Sequence, residues 1–457
     1  MATAELSRSL KPRHLTMISI GGIIGAGLFV GSSVSIAAIG PAIVVSYLIT
    51  GLLILLVMRM LGEMAMSLPT VHSFAEFPRA ALGHWAGFVT GWLYWYFWMI
   101  VVPFEAIAGA KTLHGYIPLP VDVIGLILMA CMTAVNLMST RSYGEFEFWF
   151  SSIKVAAIIA FIAMGASYAF GWTSPHGATF VNLTSHGGFM PQGVVSVLAG
   201  AVTVFFQLTG AEIITVAAVE SAEPARAVAQ LTSSIIVRVL TFYVGSIFFI
   251  VAVVPWNSIQ VGTSPFAQAL LQMHFGWAAK AMDFIVLTAV LSCLNSAFYV
   301  CSRVLFVLAG HGDAPQALIQ LNRRKVPVKS VLLCALAGVV GILADIVSPQ
   351  HVFSFLLAGG SALMVFIYLI VAISQVRLRR TRERAGVPPP ALTMWLFPWL
   401  SYIAIAGMAA VLLAMAFTAS LSQELEVSLL SLAVVLIAYF ILRARRNSLT
   451  DARASAD

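Results

Sequence analysis

Four ionisable side chains, Glu105, Lys154, Glu212 and Glu220, stand inside or at the ends of long, otherwise apolar runs. If those runs cross a bilayer, each charge near a helix centre costs about 2.5–3.5 kcal/mol on insertion scales, so each is by default a functional site. Their chemistry is proton exchange and recognition of a charged solute. It is not bond-making: no His or Cys cluster, metal motif or nucleophile constellation accompanies them, so no cofactor, no metal and no enzyme activity is expected. For Lys154 and Glu212 the structural alternative is a buried ion pair that fixes helix register. Glu220, close to Glu223 and Arg226, reads as interfacial.

The stretch Gly21-Gly22-Ile23-Ile24-Gly25-Ala26-Gly27 puts four glycines in seven residues of the first apolar run. Glycine costs about 1 kcal/mol against alanine in a helix and permits non-helical backbone, so the helix is expected to open here. Opened backbone at bilayer depth is tolerated only where it lines a cavity or is buried in protein. It presents bare N–H groups on one side and bare carbonyls on the other, which suits a zwitterion. Close helix packing through Gly21–Gly25 and Gly27–Gly31 is the alternative. The order of the glycines excludes a dinucleotide loop. A second break falls at Leu208-Thr209-Gly210-Ala211-Glu212, and Pro103 frees a backbone carbonyl near Glu105. The run Trp92-Leu93-Tyr94-Trp95-Tyr96-Phe97-Trp98 reads equally as an interfacial belt or as rings facing a cavity.

The elements that hold these residues follow from composition. The chain has 457 residues, 60% hydrophobic and 9% charged, and a mean hydropathy of +0.96. Soluble domains carry about 25% charged residues, so a polytopic membrane protein is the class that fits. Apolar runs of about 20 residues begin near Leu15, Pro41, Trp85, Val121, Phe148, Gly193, Val237, Ala279, Val331, Val352, Trp395 and Val427. That makes about twelve helices, of which the third and eighth are long enough to tilt. Lys154 then falls about one turn inside the membrane, and Arg59 and Glu63, at i,i+4, form a local salt bridge. Lys and Arg crowd alternate connections, including Arg323, Arg324, Lys325, Lys329 and the arginines from Arg377 to Arg384, while Gly171–Pro191 and Trp256–Trp277 carry none. Both termini are therefore expected in the cytoplasm, and the net charge of +7 is spent on topology and lipid headgroups, with no nucleic-acid partner. The N-terminal run is too long, and lacks the cleavage site, for a signal peptide. The four cysteines fall inside apolar runs without zinc or disulfide spacing.

The broken first and sixth helices lie an odd number of spans apart, which inverts the second unit relative to the first. Broken helices at matching places in inverted repeats point to a secondary transporter with a site at the midplane. No nucleotide motif appears, so ATP is not the energy source. The residues alone reach a gradient-driven transporter for a small polar solute.

In Gly22-Ile23-Ile24-Gly25-Ala26-Gly27-Leu28-Phe29, the Gly210-x-Glu212 break and Leu291-Ser292-Cys293-Leu294-Asn295-Ser296, the chain resembles the bacterial amino acid permease family of the amino acid–polyamine–organocation superfamily. The likeness runs over nearly the whole chain. Within the family it is most similar to 4-aminobutyrate (GABA) permeases, through Gly91 to Trp98, Tyr143-Gly144-Glu145-Phe146-Glu147-Phe148-Trp149 and Gly210 to Ala217. The resemblance implies an all-α, LeuT-type, five-plus-five inverted repeat with helices one and six broken. Its halves would be residues 15–171 and 192–376, followed by two extra helices within 395–443. It implies uptake of an amino acid with a proton across the cell (inner) membrane. GABA is the first substrate; proline, an aromatic amino acid, or amino acid exchange are the alternatives. It also implies that Gly25, Ala26 and Gly27 offer N–H groups to the substrate carboxylate. Ile23 and the backbone from Phe206 to Gly210 would offer carbonyls to its ammonium. Lys154 and Glu212 become the proton-coupling candidates, Glu212 and the aromatic gate Phe206 lie near the substrate, and Tyr94, Glu105 and Ala297 line the side-chain pocket. Glu105 would take the distal ammonium of GABA. Ala26 stands where several relatives carry Ser or Thr, so a hydroxyl contact to substrate is absent.

Overall fold

The computed structural model describes residues 10–69, 71, 73–138, 140–218 and 223–454, and among these it contains no strand. The helices are α1 (Pro12–Ile23), α2 (Ser32–Ile39), α3 (Ile43–Ser67), α4 (Glu76–Leu82), α5 (His84–His114), α6 (Val121–Met138), α7 (Thr140–Ala169) and α8 (Gly193–Leu208). They continue with α9 (Ile213–Ala217), α10 (Pro224–Val253), α11 (Pro265–Gln272), α12 (Gly276–Gly310), α13 (Val328–Val347), α14 (Pro349–Arg384), α15 (Trp399–Phe417) and α16 (Ala419–Ala454). Twelve segments of the described residues are long and apolar enough to cross a membrane. The first is α1 and α2 with the turn between them, and the sixth is α8 and α9 with theirs.

Glu220 lies outside the described residues. Two short helices escape a reading based on long apolar runs: α4 joins the second span to the third, and α11 joins the seventh to the eighth. The fifth span also differs from expectation. Its helix begins at Thr140, not near Phe148, so Lys154 sits near the middle of the apolar stretch Tyr143–Ala169 and Glu147 is drawn inside it.

Four of the five pairs of spans five apart pack side by side: α3 on α10, α5 on α12, α6 on α13, and α1 on α9. Such pairing is what a five-plus-five repeat about an internal axis produces. The third span lies deepest, its apolar window 89% buried in protein, while that of the twelfth is only 11% buried. The apolar side chains that α15 and α16 expose, such as Leu413, Phe417, Leu430 and Ile437, lie on the outside of the bundle.

Polar ties close the face where the first span begins. Glu63 does not form the expected local pair with Arg59. It accepts from Arg379 Nη1 (3.0 Å), Gln375 Nε2 (2.9 Å) and the Met394 N–H (2.6 Å). Arg59 turns instead to the Thr393 carbonyl (2.8 Å) and the Trp395 ring. Three long-range donors beat the neighbour because they bind a carboxylate only 2% exposed, where a bond left unmade is most costly. Asp313 takes Arg79 and His84, and Glu76 takes His311, fastening α4 to the chain that follows α12.

The two broken spans cross so closely that a side chain has no room. Gly210 has φ +126°, and a Cβ there would lie 3.0 Å from the Gly22 carbonyl oxygen. Gly210→Ala is expected to cost about 1–3 kcal/mol through backbone strain, read as a lowered melting temperature of the purified protein in detergent.

Candidate functional site

The first break is shorter than the run of glycines. Helix α1 continues through Gly21 and Gly22, Ile24 leaves it at φ −85°, ψ 91°, and the chain re-enters as one π-helical turn, Gly27–Gly31. The early glycines serve packing: a Cβ on Gly21 would strike Glu147 Oε1 and Ser151 Oγ. Both readings of the glycine run therefore apply, to different halves of it. At the sixth span α8 stops at Leu208, Thr209 is extended, and α9 resumes at Ile213.

A small pocket opens between the breaks. Of the expected residues, Ile23, Gly25, Gly27, Glu105 and Phe206 line it. Phe97, Trp98, Gln207 and Cys293 line it too, so two rings of the aromatic run face a cavity. Phe206 packs edge-on against Phe97 (5.8 Å) and Phe104 (5.5 Å), which makes one wall a cluster of rings.

Each opened helix end is already matched by a buried side chain. The Ala26 N–H donates to both oxygens of Glu105, at 3.1 and 3.2 Å. Lys154 Nζ donates to the Gly21 carbonyl (2.7 Å), the Ile24 carbonyl (2.8 Å) and Ser292 Oγ (2.8 Å), using all three ammonium protons. An opened helix thus receives a carboxylate at its bare N–H and a cation at its bare carbonyls, as the helix dipole demands. The Ile23 carbonyl, expected to face an ammonium, accepts from Tyr243 Oη at 2.9 Å, and the same hydroxyl lies 2.9 Å from the Gln207 carbonyl. In the sixth span the Phe206 and Gly210 carbonyls accept from the chain's own Thr209 and Ile213 N–H groups.

Glu212 is buried at that break but does not line the pocket. Its Oε2 accepts from the Gly210 N–H (3.1 Å) and Tyr368 Oη (2.6 Å), and its Oε1 from Tyr94 Oη (3.2 Å). Tyr94 is thereby a partner of Glu212 and not part of the pocket lining. Ala297 is fully buried on α12 and likewise falls outside the lining. The structure adds the Tyr243 hydroxyl and the Gln207 side chain to the site. Gln207 Nε2 donates to Ser35 Oγ (3.0 Å) and its Oε1 accepts from Tyr47, so it ties the outer half of the first span to the second and sixth. Among the described residues, no cluster of His, Cys, Asp and Glu could hold a metal ion.

Residues 14–449 match the amino acid permease family. The chain is 44% identical over 447 residues to a gamma-aminobutyric acid permease of Bacillus subtilis, spanning 97% of this chain and 95% of that one. It is 42% identical to the gamma-aminobutyric acid permease of Escherichia coli K12, over 93% and 91% of the two chains. An aromatic amino acid transport protein of Corynebacterium glutamicum is 36% identical over 95% of both. In fold, the chain is similar to a solved mutant of a manganese transporter from Eremococcus coleocola (TM-score 0.59, 13% identity, 95% of this chain and 94% of that one). Twelve spans, two broken helices meeting at a pocket, and a family match over nearly the full length agree: the chain belongs to the amino acid permease family and is a multi-pass membrane transporter.

Proposed function

We propose that the protein takes up 4-aminobutyrate together with a proton across the cell (inner) membrane, with both termini in the cytoplasm and Lys154 as the coupling residue. The observation that carries this reading is Glu105 on the Ala26 N–H. An N–H at an opened helix end that holds one carboxylate accepts another of the same chemistry, so the substrate carboxylate takes that place and Glu105 is released beside it. The freed Glu105 then meets the substrate ammonium, which in 4-aminobutyrate is three methylenes from the carboxylate. Gly25 and Gly27 leave the backbone accessible for that exchange, and Phe206 closes over the bound molecule. Relatives named as permeases for this substrate, at 42–44% identity, support the choice. Lys and Arg gathered on the face where the first span begins support the orientation. The aromatic wall of Phe97, Trp98 and Phe206 favours an aromatic amino acid as the second reading.

The test is uptake of labelled 4-aminobutyrate into proteoliposomes under an imposed pH gradient, with unlabelled amino acids as competitors. Accumulation competed by ω-amino acids is expected. Competition by phenylalanine or tyrosine alone moves the substrate to the second reading. Glu105→Gln is expected to raise KM for 4-aminobutyrate by at least about tenfold, because one partner of a desolvated charge pair is lost. Unchanged uptake and selectivity in that variant would contradict the assigned contact.

A further inference from the structure

The carboxylate of Glu147 is fully buried on α7, seven residues before Lys154, and nothing in the proposed substrate cycle uses it. It is not isolated. Lys154 Nζ donates to Ser292 Oγ at 2.8 Å, and Ser292 Oγ in turn donates to Glu147 Oε1. The ammonium has no lone pair and the carboxylate no proton, so the direction of both bonds is set: Lys154 to Ser292 to Glu147. Ser151 Oγ lies 3.1 Å from the same Oε1 and 2.9 Å from the Met17 carbonyl. The Asn295 amide also acts on the Glu147 carboxylate, and its other side accepts from Asn136 Nδ2 at 2.8 Å. A buried carboxylate joined to a buried ammonium through one hydroxyl calls for a role.

We propose that Glu147 exchanges a proton with Lys154 through Ser292, so that the pair and not the lysine alone carries the coupled proton. The step balances within the chain. A Lys154 N–H bond breaks as a new Ser292 O–H forms, and the old Ser292 O–H breaks as a Glu147 O–H forms. An ion pair becomes a neutral amine and a neutral acid, with the serine hydroxyl regenerated. The amine keeps two N–H groups on the Gly21 and Ile24 carbonyls. Those bonds lose their charge assistance, and charge-assisted bonds are roughly twice as strong as neutral ones. Proton transfer therefore loosens the end of α1 at the break.

The neighbouring titratable groups are accounted for. Glu105 and Cys293 face the pocket, His14 and Glu145 bond each other at 3.1 Å, and Tyr143 Oη lies 3.2 Å from Ser296 Oγ. Packing holds the relay in place: any side chain at Gly21 would occupy the position of Glu147 Oε1. The family-matching segment Leu291 to Ser296 thus contributes two residues, Ser292 and Asn295, at this carboxylate.

This inference rests on proton-coupled transport with Lys154 as its centre, and the experiment separates the two. The full-length protein, Glu147→Gln and Ser292→Ala are reconstituted in proteoliposomes. Each is assayed with labelled 4-aminobutyrate for counterflow at equal pH and for accumulation under an imposed pH gradient. Glu147→Gln keeps the side-chain shape and an acceptor for Ser292. Both variants are expected to retain counterflow while gradient-driven accumulation falls by at least about tenfold, at the low end of what a lost proton-transfer group removes. Wild-type accumulation in either variant overturns the relay. Loss of counterflow in both variants makes Glu147 and Ser292 structural residues and also overturns it. If the unaltered protein shows counterflow but no response to the pH gradient, the proton-coupled reading itself fails, and the relay with it.

Discussion

Lys154→Ala is expected to abolish accumulation against a gradient and to destabilise the protein by at least about 3 kcal/mol, the lower end for removing one partner of a buried charge pair. The reason is the number of groups that one ammonium serves. Without it the Gly21 and Ile24 carbonyls lose their donor in a dry interior, at about 1–3 kcal/mol each, and Glu147 keeps a charge with no cation beside it. Thermal unfolding in detergent reads the stability, and uptake under an imposed pH gradient reads the coupling. A variant that unfolds normally and still accumulates substrate would remove Lys154 from both roles.

The second large effect is at the other break. Glu212→Ala is expected to lose at least about 3 kcal/mol, because the Gly210 N–H and the hydroxyls of Tyr94 and Tyr368 are left buried without an acceptor at about 1–3 kcal/mol apiece. Glu212→Gln keeps one carbonyl oxygen for a hydroxyl but sets an amide NH2 against the remaining donors, so a smaller loss is expected. The two variants therefore rank, alanine below glutamine below wild type, in melting temperature and in transport. Equal stability of all three would mean that Glu212 does not hold the sixth break together.

The positions of these charges were legible before any coordinates, because a bilayer makes each one expensive and therefore visible in an apolar run. Glycine marked both breaks for a similar reason. What was not legible is instructive residue by residue. Glu147 is hidden by a boundary: an apolar run that begins near Phe148 leaves it just outside the fifth span, whereas the helix starts at Thr140 and carries it inside. Tyr243 and the Gln207 side chain are neutral, so nothing in composition separates a hydrogen bond at the breaks from ordinary core, whereas Trp98 is flagged by its run of aromatic neighbours. Tyr94 and Ala297 were carried over by resemblance alone, and the structure puts Tyr94 on Glu212 and Ala297 within the packed interior of α12. The local Arg59–Glu63 pair failed because i,i+4 spacing on one helix says nothing of Arg379, more than three hundred residues away, which reaches the same carboxylate.

Tyr243 has one hydroxyl hydrogen and two carbonyls at 2.9 Å, one on the first broken span and one on the sixth. A single hydrogen cannot point fully at both. The hydrogen is shared between the two carbonyls, so one side chain ties the backbone of the first broken span to that of the sixth. Both openings are in this way fastened to α10 at a single oxygen, the joint through which a shift of either one is felt by the other.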